Sequence, residues 1–224
     1  MRRLAILLIL LLFIVGCTSK EEVDTVHKHV EFETSDGMNI AGDLYKGGEK
    51  GIILLHMLSV TKLSWKDFAQ ELQEKGYSVL AIDLRGHGQS DLDWKRFGDE
   101  DFNNMILDVG AAKDFLGKEK NVVMGASIGA NLAIKFVIEV DGAVSLSPSF
   151  NYRGIQTKDD ASNVNKPVLI VVSDEDKQSV GDSRELSKLI SGSKLQVYSG
   201  KGHGTNMLDR EAKDLILNWL DENF

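Results

Sequence analysis

The sequence predicts one α/β domain: a mostly parallel, doubly wound sheet with an antiparallel N-terminal hairpin and no sizeable cap. Three observations lead there. From Gly51 onward, short unbroken apolar runs alternate with segments whose apolar residues recur at helical spacing. Before that point, two stretches alternate apolar with polar residues on either side of a turn. The 224 residues contain two prolines and no repeat or low-complexity tract, so a single core accounts for the length.

The first residues are of another kind. Met1-Arg2-Arg3 is a positive n-region, and Leu4 to Val15 is an apolar run too short for a comfortable membrane span but suited to a secretory signal peptide. Its end, Ile14-Val15-Gly16-Cys17, resembles the lipobox of bacterial lipoproteins. That resemblance implies a signal peptide over residues 1–16, lipidation of Cys17 and a polar tether over 17–25, with the domain occupying 26–224. It also implies an exported protein anchored to the cell-envelope membrane through the lipid on Cys17. Cys17 is the only cysteine, so no intramolecular disulfide is possible and the core must stabilise the domain alone. The net charge of −8, spread along the chain, argues against a nucleic-acid partner and reads chiefly as solubility.

Within the domain, Val30–Thr34 and Met38–Tyr45 flank Ser35-Asp36-Gly37 and predict the hairpin. Gly51–His56 is an apolar run expected of a strand buried on both faces. Trp65, Phe68, Ala69 and Leu72 mark one helical face, closed by Gly76, and Tyr77–Asp83 is the next strand. Phe102, Met105, Ile106, Val109, Ala112 and Leu116 make a second stripe, stopped by Gly117. Asn121–Met124 predicts a strand and Ala130–Val140 a helix; Asp141–Leu146 and Pro167–Val172 predict two further strands. A short helix over Arg184–Ile190, a strand over Lys194–Tyr198 and a closing helix carrying Met207, Leu208, Ala212, Leu215, Ile216 and Trp219 complete the domain.

In such a sheet, ligands bind beyond the carboxyl ends of the strands. That edge gathers His56, Asp83, Ser127, Ser147, Ser173 and Gly200. Gly125-Ala126-Ser127-Ile128-Gly129 joins a strand to a helix and has the G-x-S-x-G spacing of a nucleophile elbow. The glycines belong to a turn too tight for larger side chains, and the helix N-terminus offers N–H groups to a developing oxyanion. A serine hydroxyl needs a base, and the base an orienting acid. His203, in the glycine-rich loop after the last strand, is the only histidine that follows Ser127. Ser173-Asp174-Glu175-Asp176 offers three carboxylates in front of it, of which Glu175 is expected to face solvent.

From Val30 to Phe224 the chain resembles the α/β-hydrolase superfamily. In that pattern, a proline and an apolar strand are followed by Gly-x-x-Asp. Carried onto this chain, the acid is Asp176, with Ser173 in place of glycine and Asp174 as the alternative. Leu54-Leu55-His56-Met57-Leu58 resembles the family's oxyanion loop, with Met57 where glycine is usual. The resemblance assigns the oxyanion hole to the amides of Leu58 and Ile128, with Met57 as substitute for Leu58, and gives His56 a bracing role. Asp83 to Ser90 resembles the D-x-R-G-x-G-x-S turn that packs beneath the active site, which makes His87 structural as well. No metal site is expected, because the histidines lack ligand spacing, and the chemistry needs no cofactor.

Only the stretch from Asn151 to Lys166 lies where such enzymes insert a cap, enough for a loop or one short helix. The expected activity is hydrolysis of carboxylic esters with small to medium acyl groups through an acyl-enzyme. The alternatives on the same residues are a thioesterase, a peptidase, a cofactor-free peroxidase or a non-catalytic envelope-binding lipoprotein. Oligomeric state is not legible from the sequence.

Overall fold

The computed structural model describes residues 27–224; the expected signal peptide, Cys17 and the tether lie outside the described residues. Eight strands form one sheet in the order β1-β2-β4-β3-β5-β6-β9-β10. Strand β1 (Lys28–Glu33) pairs antiparallel with β2 (Asn39–Tyr45), and β2 pairs antiparallel with β4 (Ser78–Ile82). From β4 onward, through β3 (Lys50–Leu55), β5 (Lys120–Ala126), β6 (Gly142–Leu146), β9 (Val168–Ser173) and β10 (Lys194–Tyr198), every pairing is parallel. The expected mostly parallel sheet with an antiparallel start is the one observed.

The unbroken apolar runs follow from the two-residue period of a strand sandwiched between helices. Ile52 and Leu54 of β3 pack with Phe68 and Leu72 of α1 (Lys66–Glu74) and with Ile216 and Leu220 of α6 (Arg210–Asn223). Ile53 and Leu55 point the other way, into a cluster with Met105 and Val109 of α2 (Asp99–Leu116) and Leu132 of α3 (Ile128–Phe136). All four β3 side chains are fully buried, each contributing on the order of 1.5–3 kcal/mol of transfer free energy. Helix α2 begins where the Asp101 carboxylate accepts from Gly98 N–H at 2.9 Å and ends where Gly117 turns left-handed at φ +61°.

Several helix boundaries differ from expectation: α3 covers Ile128–Phe136 and a 3-10 turn Val137–Glu139 follows it, in place of one helix over Ala130–Val140. Trp65 and Met207 keep helical spacing but belong to 3-10 turns, Lys62–Trp65 and Gly204–Met207, that precede α1 and α6. Asp209 caps α6 by accepting from Ala212 N–H at 3.0 Å, which fixes its start after Met207. Helix α5 (Val180–Leu189) starts one turn before Arg184.

The stretch replacing a cap holds a two-residue hairpin, β7 (Asn151–Tyr152) and β8 (Ile155–Gln156), and a single helical turn, α4 (Lys158–Ala161). Arg153 and Gly154 both sit at positive φ, +53° and +82°, as a tight hairpin turn requires. The fully buried Asn131 of α3 ties this insert down. Its amide donates to Ile155 O at 2.9 Å and its carbonyl accepts from Ser149 N–H at 3.0 Å. The insert is therefore a fixed rim at the carboxyl edge of the sheet.

Candidate active site

Ser127 stands between β5 and α3 at φ +54° and ψ −113°, a conformation that costs a non-glycine residue about 1–3 kcal/mol. Its N–H donates to Leu146 O at 2.9 Å, and its carbonyl receives the first bonds of α3 from Ala130 and Asn131. The flanking glycines are fixed by space rather than by dihedral angle. A Cβ on Gly125 would overlap the Gly129 carbonyl, and one on Gly129 would lie 2.5 Å from Leu55 O. The elbow thus presses against both the helix it starts and the neighbouring strand.

His203 lies in the loop after β10, between Gly202 and Gly204, which take φ of +82° and +56°. Its Nδ1 is 2.6 Å from Asp176 Oδ2, so Nδ1 carries the proton that the carboxylate accepts, and Nε2 remains the basic nitrogen. Ser127 and His203 line one pocket of about 190 Å³. Burial pushes the Asp176 carboxyl up, but hydrogen bonds from His203, Ser147 and Ser179 and the charge of His203 outweigh it, holding the group below its ordinary value. Asp174 points elsewhere. Its Oδ2 accepts from Ser199 Oγ at 3.0 Å, and its Oδ1 is buried without a partner. Glu175 is exposed.

Ser147, at the end of β6, is a residue whose role in the site the sequence did not show. It too sits at positive φ, +59°, and is only 2 % exposed. Its N–H donates to Val171 O at 2.8 Å, its Oγ accepts from Gly204 N–H at 3.1 Å, and its hydroxyl is among the groups that lower the Asp176 carboxyl. Ser147 therefore ties the His203 loop to the end of β6. Topology placed Ser147 at the right edge of the sheet; nothing in the identity of a serine marks a left-handed backbone.

The oxyanion candidates divide. Ile128 is the first residue of α3, where an N–H has no intrahelical acceptor, and it directly follows Ser127. Leu58 is buried, and Met57 and Leu58 do not line the 190 Å³ pocket. Their carbonyls are held: Met57 O accepts from His56 Nδ1 at 2.7 Å and from Val60 N–H at 3.3 Å, and Leu58 O accepts from His87 Nε2. Met57 also packs its thioether on Gly204, beside His203. Buried His56 bridges this loop to Leu84, whose N–H donates to His56 Nε2 at 3.0 Å. Burial, reinforced by the neighbouring His87, lowers His56 to about 4, so it stands neutral as a brace.

Beneath the site, the turn after β4 is organised by buried charge. Asp83 accepts from Lys62 Nζ at 2.6 Å, and Arg85 bonds Asp108 at 2.8 Å and Asp36 at 2.7 Å. A larger groove, about 880 Å³, lies between α2, α3 and the first hairpin, away from Ser127 and His203. Among the described residues, no group of three or more His, Cys, Asp or Glu side chains could hold a metal ion, and no helix is long and apolar enough to cross a membrane.

Comparison with known proteins agrees with this architecture. Residues 49–156 match a family model described as serine aminopeptidase, S33. An AB hydrolase superfamily protein of Bacillus subtilis, YisY, is 32 % identical over 97 residues, which cover 43 % of this chain and 35 % of that protein. A Bacillus subtilis carboxylesterase is 26 % identical over 104 residues, 46 % of this chain and 42 % of its own. The chain thus spans less than half the length of these curated relatives. Among solved structures, an esterase of Pyrococcus furiosus, Pf2001, superposes with a TM-score of 0.77 at 20 % identity, covering 88 % of this chain and 91 % of that one. With its parallel sheet, antiparallel first strands and strand-to-helix serine turn, this chain has the α/β-hydrolase fold.

Proposed function

We propose that the protein is a serine hydrolase that cleaves carboxylic esters of small to medium acyl groups. The observation that carries this is the 2.6 Å bond between Asp176 and His203 on the pocket that also holds the elbow serine. His203 Nε2 takes the proton of Ser127 Oγ as the oxygen attacks the ester carbonyl. The resulting oxyanion meets the N–H of Ile128 at the positive end of α3, with the Leu58 amide as second donor and that of Met57 as its substitute. Asp176 holds the tautomer of His203 and stabilises the imidazolium. The proton then passes to the leaving alkoxide, and a water deprotonated by His203 releases the acid from Ser127.

The fixed rim formed by residues 151–166 leaves the site without a cap domain, which suits compact groups. A peptidase on the same residues is the second reading, favoured by the match of residues 49–156 to the serine aminopeptidase model. The proposal includes a membrane tether through lipid on Cys17; its support is the sequence of residues 1–17. Fluorophosphonate labelling followed by peptide mass spectrometry tests the chemistry. Modification is expected on Ser127, and a folded protein that leaves Ser127 unmodified defeats the proposal.

A further inference from the structure

We infer that the acyl group taken by this site is hydroxylated and carries no negative charge, an inference that rests on the hydrolase reading and goes beyond it. Ser147 and Ser179 are engaged with Asp176. Five other residues line the pocket: Ser149, Asn151, Tyr152, Gln178 and Asp182. None is aliphatic and none is cationic. A volume of about 190 Å³ has room for roughly six waters, which suits a short acyl chain.

The hydrogen-bonding capacity left on these residues is mixed. Asp182 Oδ2 accepts from Phe150 N–H at 2.8 Å, which fixes the carboxylate, and Asp182 forms no ion pair among the described residues. Its second oxygen is therefore an acceptor available to a ligand. Asn151 spends its carbonyl on Gly154 N–H at 3.0 Å, so the amide hydrogens are what it has left to give. The backbone of Ser149 is held on both sides, its N–H by Asn131 and its carbonyl by Thr157 at 2.7 Å, with the hydroxyl left over. Gln178 and Tyr152 add groups that can donate or accept.

Donors and an acceptor side by side match a hydroxyl, which does both. An ammonium would pair with Asp182 but leave the hydrogens of Asn151 without an acceptor; a carboxylate only accepts and would meet Asp182 at close range. An alkyl group would return no hydrogen bond to the polar side chains it covers. A site built to bond a hydroxyl rejects the analogue lacking it far more strongly than an apolar pocket rejects an added hydroxyl.

The test uses isosteric pairs of p-nitrophenyl esters, lactoyl against isobutyryl and glycoloyl against propionyl, with each rate divided by its hydroxide-catalysed rate. The hydroxylated member of each pair is expected to have the higher kcat/KM by at least about tenfold, or 1.4 kcal/mol. Asp182→Asn presents amide hydrogens where an acceptor stood, so this ratio is expected to fall towards one. Equal or better cleavage of isobutyryl and propionyl esters overturns the inference, as does a ratio that survives both Asp182→Asn and Gln178→Ala. Alkyl esters cleaved as fast as their hydroxylated partners, with Ser127 labelled by fluorophosphonate, remove this inference alone. No cleavage of any ester together with an unlabelled Ser127 removes the hydrolase reading as well.

Discussion

Replacing Ser147 by alanine removes one hydroxyl, the acceptor of the Gly204 N–H at 3.1 Å and one of the groups that lower the Asp176 carboxyl. A buried N–H left unpaired costs about 1–3 kcal/mol, and a loss of that size in stability is expected. Backbone strain does not enter, since alanine at φ +59° is strained as serine is. Only part of the loss reaches the transition state, through looser placement of His203; a tenfold to hundredfold fall in kcat corresponds to about 1.4–2.8 kcal/mol. The sign of the pH effect is fixed. Loss of the Ser147 hydroxyl removes one of the groups that lower Asp176, so its carboxyl protonates at higher pH in the variant. That moves the acid limb of kcat/KM to higher pH. Ser147→Gly separates positioning from folding: glycine relieves about 1–2 kcal/mol of left-handed strain but restores no hydroxyl. Thermal unfolding and pH–rate profiles of both variants check this. If Ser147→Gly regains full activity, or both profiles overlay the parent, Ser147 does not position the acid and the reasoning fails.

Asp176→Asn is expected to lower kcat about 10⁴-fold by giving His203 the wrong tautomer, while Asp174→Asn changes it less than about threefold. Steady-state rates of the two variants decide, and a larger fall for Asp174→Asn would reverse the assignment. Asp36 yields a stability prediction. The hydrogen bond and charge of Arg85 outweigh partial burial and lower its pKa from 3.8 to about 2. Because the folded value is depressed, the contribution is complete above pH 4 and disappears as pH falls through 2. Linkage gives about 2 kcal/mol, reduced to about 1 kcal/mol because the side chain is 34 % exposed. Unfolding free energies from urea titrations of Asp36→Asn and the parent should differ by that amount at pH 7 and converge as pH falls below 2; an undiminished difference there would assign the effect to packing.

What the sequence made legible was what depends on period and on glycine. β3 could be read because a strand covered on both faces must be apolar at every position, and Gly117 because it ends α2 in a left-handed turn. His203 could be singled out because no other histidine follows Ser127. Asp174 and Asp176 could not be told apart by spacing. They sit in one turn, where Asp176 N–H donates to Ser173 O at 3.1 Å, and only the turn's geometry decides which carboxylate meets the imidazole. The hairpin of the insert was hidden for a related reason, since Arg153 takes the left-handed position with no residue-type signal. The pocket residues of the insert and of α5 were out of reach because they converge only once Asn131 has fixed the rim.

Met57 is the departure from the family pattern that the structure accounts for. Glycine would be required there if the backbone turned left-handed, but Met57 is absent from the non-glycine residues at positive φ, so its conformation is open to any side chain. The loop is instead oriented by its carbonyls, which His56, Val60 and His87 hold on the inner side. With the backbone set in that way, a side chain at position 57 is free to act elsewhere. Its Sδ and Cγ fill the space that a Cβ at Gly204 would take. Gly204 does turn left-handed, at φ +56°, and gives its N–H to Ser147. The two positions therefore exchange roles, with the glycine in the His203 loop and the bulk in the loop after β3. The thioether packs on Gly204 while the Ser147 hydroxyl takes its N–H, so the His203 loop is held at this residue by two contacts to which residues 151–166 contribute nothing.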